Sequence, residues 1–151
     1  MRYKEIFNEI DEIIKAELAV ESKLQAIADL LQQKIRYYDW VGFYFADADN
    51  KVLNLGPYAG LTTEHTQIPY GKGICGQVAM SNETFLVSDV NAQDNYISCN
   101  INVKSEIVVP IFVNNKNIGQ IDIDSNTLDA FTTEDRLFLE DIAKKVGNLY
   151  I

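Results

Sequence analysis

The chain has 151 residues, of which 47% are hydrophobic and 23% are charged, a balance typical of one folded domain rather than of a disordered segment. Its 13 basic and 22 acidic residues give a formal net charge of −9, which disfavours sequence-independent binding to nucleic acids and to anionic membranes. No apolar run approaches the ~20 residues of a membrane span, and the two cysteines, without a CxxC pair or a secretion signal, indicate the reducing cytoplasm.

The predicted elements begin with two amphipathic helices, from about residue 3 to 15 and from about residue 22 to 37. The pattern then changes to β-branched and aromatic runs, which predict six strands over residues 40–45, 51–55, 65–68, 84–87, 106–113 and 118–124. A short helix is expected over residues 74–80, and Thr132 is expected to cap a last helix. Two helices, six antiparallel strands and a closing helix predict an α+β sandwich, in a single domain over residues 1–151.

The last predicted strand places two acidic side chains on one face. Asp122 and Asp124 are two residues apart, so their carboxylates lie on the same side, about 6.6–7 Å apart, while Ile121 and Ile123 face the other way. With an even hairpin register, Glu106 would lie opposite Asp124 and complete a group of three carboxylates. A two-residue turn at residues 114–115 would instead put Glu106 on the other face. The simpler interpretation is a solvated sheet face.

The first strand carries a matching aromatic face. Trp40 and Tyr44 share one side of this strand, with Gly42 between them. Core packing is the ordinary reason for such a strand. An aromatic wall next to carboxylates would also form a cage for a small cationic or zwitterionic ligand.

The two cysteines lie in different settings. Cys75 is near the start of the short helix, where the helix N-terminus and Lys72 predict a lowered thiol pKa, although a buried structural role fits equally well. Cys99 lies in a long polar loop over residues 88–104, and loops of this length are often functional. Two cysteines and His65 fit no compact zinc pattern, so no metal site is expected.

Several motifs, in the same order along nearly the whole chain, resemble those of the free methionine-(R)-sulfoxide reductases, which are small single GAF-domain enzymes. They read W-x-G-F-Y at residues 40–44, I-P-x-G-x-G-x-C-G at 68–76, S-E-I-V-x-P at 105–110, D-I-D-S at 122–125 and F-T-x-E-D at 131–135. The resemblance implies a GAF-like α+β fold, in which the N-terminal helices and the C-terminal helix pack on one face of a six-stranded antiparallel sheet. Separately, Asn115-Lys116 followed by Phe131 and Asp135 resembles the lysine–aspartate element of cyclic-nucleotide GAF domains, which suggests a structural tie between Lys116 and Asp135.

The resemblance also assigns site residues. It implies a catalytic Cys99 with Cys75 as its partner thiol, and a substrate site formed by Trp40, Tyr44, Glu106, Asp122 and Asp124, with no cofactor. The family usually has a further cysteine ten residues before Cys75, where this sequence has His65.

The implied activity is the reduction of free L-methionine-(R)-sulfoxide to methionine. A thiolate would attack the sulfoxide sulfur, and the resulting sulfenic acid would be recycled through a disulfide. The resemblance further implies thioredoxin as the reductant and a homodimer formed through the helices. The alternative is a GAF module that binds an amino-acid-like ligand without turnover.

Overall fold

A six-stranded antiparallel sheet forms the centre of the computed structural model, which describes residues 2–96 and 101–151. The strands in chain order are β1 (Trp40–Asp47), β2 (Val52–Ala59), β3 (Gln67–Pro69), β4 (Phe85–Val87), β5 (Ser105–Val113) and β6 (Lys116–Ser125). Their order across the sheet is β3-β2-β1-β6-β5-β4, so β1, β6 and β5 are adjacent. All six predicted strands are present, and β3 begins after His65 rather than at it.

Four helices accompany the sheet: α1 (Arg2–Lys15), α2 (Val20–Lys34), α3 (Gly73–Ser81) and α4 (Thr133–Asn148). A 3-10 turn, Val90–Ala92, interrupts the long polar segment after β4. None of the helices in the described ranges is long and apolar enough to cross a lipid bilayer.

The two faces of the sheet carry separate cores. On one face, α1, α2 and α4 pack against apolar side chains from alternate positions of the central strands, including Val41, Ile107 and Ile121. On the other face, α3 covers a smaller cluster that includes Trp40, Tyr44, Cys75 and Val108. The predicted α+β architecture, with the N-terminal and C-terminal helices on one face, is therefore confirmed.

On the face covered by α1, α2 and α4, Asp135 is the one buried acid among residues 2–96 and 101–151. Its Oδ1 accepts hydrogen bonds from the hydroxyls of Tyr3, Tyr37 and Tyr38 at 3.0, 2.8 and 2.7 Å. Its Oδ2 accepts from the backbone N–H of Thr132, whose side chain in turn caps α4 as predicted. The suggested tie to Lys116 is wrong, because Lys116 is exposed and the described residues around Asp135 already saturate it.

The β5–β6 hairpin combines a tight turn with a bulge. Val113 pairs with Lys116, so the turn is the two-residue Asn114-Asn115, in which both residues have positive φ (51° and 65°). That turn alone would put Glu106 on the wrong face. Ile111, however, pairs with Gly119, which leaves one extra residue, Ile118, on β6 and shifts the register. The Asn117 side chain accepts a hydrogen bond from the Gly119 N–H at 2.9 Å and holds this bulge.

Candidate functional site

Three acidic side chains converge on the α3 face of the sheet. The bulge places Glu106 directly opposite Asp124, and Asp122 follows on the same face of β6. The three residues are only 5%, 2% and 2% exposed, in the order Glu106, Asp122 and Asp124. The predicted group of three carboxylates therefore exists, and it is buried rather than solvated.

Burial and crowding raise the pKa values of the two aspartates in this group. Desolvation raises the pKa of Asp122. The pKa of Asp124 is raised well above its ordinary value, first by desolvation and then by the neighbouring charge of Asp122. Burial therefore favours the neutral form of both aspartates relative to an exposed carboxyl group.

The α3 helix brings Cys75 to the same cluster. Its Sγ donates a weak hydrogen bond to Glu106 Oε2 at 3.9 Å. The Cys75 Sγ and one carboxylate oxygen each of Glu106 and Asp122 lie within 4.8 Å of one another. The predicted lowering of the Cys75 pKa is wrong. Burial of the thiol, followed by the charges of Asp122 and Glu106, raises that pKa well above its ordinary value. These tertiary effects outweigh the helix N-terminus and Lys72, which are the only influences that the local sequence reveals.

The predicted aromatic wall is also present. The rings of Trp40 and Tyr44 lie 6.4 Å apart, and Tyr58 stacks on the indole at 5.5 Å. The Trp40 Nε1–H donates to the Leu61 carbonyl at 3.0 Å, and the Tyr44 hydroxyl donates to the His65 carbonyl at 2.9 Å. Gly42 does not leave space for a ligand, because the six-membered ring of Trp40 already lies against its Cα.

A cavity of about 170 Å³ opens beside Trp40 and Asp124, and Tyr44, Glu106 and Asp122 are not part of its lining. Its lining comprises Asp39, Trp40, Leu61, Thr62, Thr63, Val103, Asp124 and Asn126. A void of about 10 Å³ lies deeper, beside Cys75, Glu106 and Asp122. A larger groove of about 600 Å³ runs along α4 and β5, but it is distant from the acidic group and shares none of its residues.

The structure leaves one predicted residue unplaced and adds others. Cys99 lies outside the described residues, so its relation to Cys75 stays a prediction. The cavity lining adds residues that the sequence did not indicate, namely the segment 61–63 and the pair Asp39 and Asn126, in which the Asn126 N–H donates to Asp39 Oδ2 at 2.7 Å. The position of Asp39 and Asn126 directly beyond the ends of the two site strands is the signal that could have revealed them.

Comparisons with known proteins agree with this geometry. The GAF domain family model matches residues 19–149. The free methionine-R-sulfoxide reductase of Escherichia coli is 31% identical over 144 residues, which cover 95% of this chain and 86% of that protein. The reductase of the same name from Saccharomyces cerevisiae is 43% identical over 111 residues, covering 72% of this chain and 61% of that protein. The X-ray structure of free methionine-R-sulfoxide reductase from Neisseria meningitidis in complex with its substrate has a TM-score of 0.91 and 35% identity, covering 97% of this chain and 86% of that one.

Proposed function

The chain belongs to the free methionine-R-sulfoxide reductases of the GAF fold, and we propose that it reduces free methionine-R-sulfoxide by a cysteine-based mechanism in the cavity described above. The observation that carries this proposal is the group of three buried carboxyl side chains, Glu106, Asp122 and Asp124, beside the aromatic wall of Trp40 and Tyr44.

The cavity suits a small zwitterion. An ionised carboxylate of the group binds the ammonium of the amino acid, and the faces of Trp40 and Tyr44 pack against its side chain. An amino acid within a polypeptide has no free ammonium for this site. The arrangement therefore favours the free amino acid over a methionine sulfoxide in a protein.

The chemical step needs an acid and a nucleophile. Asp124, which lines the cavity and has the raised pKa, protonates the sulfoxide oxygen. The Cys99 thiolate attacks the sulfoxide sulfur, the S–O bond breaks, and the products are methionine and the sulfenic acid of Cys99. Glu106 and Asp122 remain to hold the ammonium.

Recycling uses the second thiol. The Cys75 thiol is held protonated beside Glu106, which accepts its proton as Cys75 attacks the sulfenic sulfur. The Cys75–Cys99 disulfide forms as the S–O bond of the sulfenic acid breaks, and the departing hydroxide takes the proton back from Glu106 and leaves as water. An external dithiol of the thioredoxin class then restores both thiols. We further propose that the protein works in the reducing cytoplasm and that it forms a homodimer through its helices.

Turnover of free methionine-R-sulfoxide with a thioredoxin system tests the function. We expect turnover of the free R epimer, and none of a peptide that contains methionine sulfoxide. Binding of the ligand without turnover would instead identify the chain as a binding module.

Two variants test the assignment of the thiols. Cys99→Ser should abolish turnover, whereas Cys75→Ser should complete one round and then stop. Treatment of the wild-type protein with substrate, without reductant, should lower its intact mass by about two hydrogens. A lasting sulfenic acid, or a disulfide between subunits, would contradict the role of Cys75.

A further inference from the structure

A buried glutamine lies beside the acidic group and takes no part in the mechanism so far. Gln120 is fully buried, and neither its Nε2 nor its Oε1 has a hydrogen-bond partner among the described residues. A buried amide without partners costs free energy, so it requires an explanation.

The position of Gln120 relates it to the site. It precedes Asp122 by two residues on β6 and therefore shares the face of the acids, with Cα atoms about 6.6–7 Å apart. Its cross-strand neighbours are Tyr44 on β1 and Pro110 on β5. The flexible glutamine side chain can span that spacing directly or through one water molecule.

Over the described ranges, the α3 face of the sheet has more unpaired buried oxygens than unpaired buried N–H groups. Within residues 2–96 and 101–151, the buried side-chain atoms without a partner are Gln120 Nε2, Gln120 Oε1, Asp122 Oδ1 and Asp124 Oδ1, and all belong to β6. The amide nitrogen is the donor in this set, and the oxygens are acceptors unless a carboxyl group carries a proton. Asp122 is the nearer of the two acids to that donor along the strand.

No direct hydrogen bond joins Gln120 to Asp122 in the structure. We propose that Gln120 is a positioning residue whose Nε2 donates to Asp122 through one bridging water molecule and so determines which of the two aspartates is ionised. The inference rests on the proposed function. Two crowded carboxyl groups cannot both ionise easily, and a donor to one of them favours the charge there. The charge is then on Asp122, where it binds the ammonium, and the proton is on Asp124, where it reaches the sulfoxide oxygen. Burial raises the pKa of both aspartates, whereas a hydrogen bond with Glu106 lowers the pKa of each, so an added donor to one of them changes the balance between the two.

Other titratable groups also influence the pKa of Asp122, and a substitution at Gln120 leaves them unchanged. Cys75 of α3, Glu106 of β5 and Asp124 of β6 face it, and Lys72, at the start of α3, lines the same small void. A change in the pKa of Asp122 after replacement of Gln120 alone therefore reports on the amide.

The test replaces Gln120 by methionine, which keeps the length of the side chain and removes the amide. In Gln120→Met, the acidic limb of the kcat/KM profile should move up by about one pH unit, which lowers activity on that limb about tenfold, while the plateau changes by less than about twofold. The folded state should be no less stable than the wild type. Gln77→Met is the control, because it removes a glutamine amide of α3 that donates to the backbone carbonyls of Gly73 and Asn95 rather than to an acid.

Carboxyl NMR titration of the ligand-free protein separates this inference from the proposed function. The lower apparent pKa of the Asp122–Asp124 pair should rise by about one unit in Gln120→Met and stay unchanged in Gln77→Met. A wild-type protein without turnover would refute the proposed function, and the NMR shift would still test the role of Gln120. Unchanged apparent pKa values in Gln120→Met would overturn it.

Discussion

The sheet separates two kinds of buried acid. On the face covered by α1, α2 and α4, Asp135 accepts hydrogen bonds from three tyrosine hydroxyls and from the backbone at the start of α4. On the α3 face, Asp122 and Asp124 are equally buried, yet in the described part of the chain each has a carboxylate oxygen without a partner. Distant segments of the chain thus supply hydrogen-bond donors to Asp135, whereas Asp122 and Asp124 each keep one carboxylate oxygen without a donor among the described residues.

The difference separates a structural acid from a binding acid. A buried carboxylate with a full set of donors joins the elements that supply them, and its removal leaves those donors unpaired. A buried carboxyl group without donors lowers the stability of the empty protein, and it is retained where a ligand supplies the missing partners. The following four predictions test this distinction, from the largest expected effect to the smallest.

Removal of the structural acid should cost most. Asp135→Ala removes the acceptor of three tyrosine hydroxyls, leaves the buried hydroxyl of Tyr38 unpaired and breaks the capping box of α4, so we expect a loss of about 3–5 kcal/mol in the free energy of unfolding. Chemical denaturation measures it, and Asp141→Ala, at an exposed position of the same helix, is the control. Equal stability of the two variants would refute the structural role of Asp135.

Neutralisation of the binding acids should affect the ligand instead. Asp122→Asn and Glu106→Gln should each weaken binding of free methionine at least about tenfold, because a charge-assisted hydrogen bond contributes about 1.5–3 kcal/mol, whereas Asp124→Asn replaces a neutral acid and should weaken it less. Calorimetric titration measures the affinity, and Asp49→Asn in the exposed β1–β2 turn is the control. If all three variants bound methionine like the wild type, the acidic group would not be the ligand site.

The dependence of stability on pH should distinguish the two faces as well. The pKa of Asp124 is raised in the folded state, so its contribution to stability is complete below about pH 4, the unfolded value, and is lost as the pH rises through the folded value. Asp124→Asn lacks this loss, so without ligand it should be more stable than the wild type at pH 7 and show a smaller difference near pH 4. Thermal melts across this pH range test the prediction. A variant that is less stable at pH 7 would contradict it.

Loss of a single donor to Asp135 should have the smallest effect. Tyr3→Phe removes one of three hydroxyls from a half-buried position and leaves Tyr37 and Tyr38 in place, so we expect a loss of about 0.5–1.5 kcal/mol. Denaturation midpoints measure it against Tyr150→Phe, whose ring packs on Phe45. Methionine binding should be unchanged, and a weakened affinity would show that the two faces are coupled.

Local patterns allowed much of the site to be predicted. The alternation of β6 places Asp122 and Asp124 on one face, and the same period places Trp40 and Tyr44 together, because both relations lie within one strand. The position of Glu106 could not be derived in this way. It depends on one extra residue, Ile118, which has the character of an ordinary strand residue and gives no sign of the bulge.

Relations over long distances in the chain could not be predicted from the residues alone. The donors to Asp135 Oδ1 are 97 to 132 positions away in the sequence, and no spacing rule connects them. The prediction for the pKa of Cys75 failed for the same reason. The helix position and Lys72 are local features of the sequence, whereas Glu106 is 31 positions away. Gln120 was visible on the face of the acids, but only its burial without partners indicates a role.

The burial of Cys75 has a consequence for survival under oxidative stress. Peroxide and alkylating agents react with exposed thiolates, whereas this thiol is 5% exposed and protonated. The same oxidants that convert methionine to its sulfoxide therefore meet a resting Cys75 that reacts slowly with them. On the proposed scheme, only a sulfenic acid delivered within the protein reaches this thiol, so the recycling step is protected from irreversible oxidation when its substrate is most abundant.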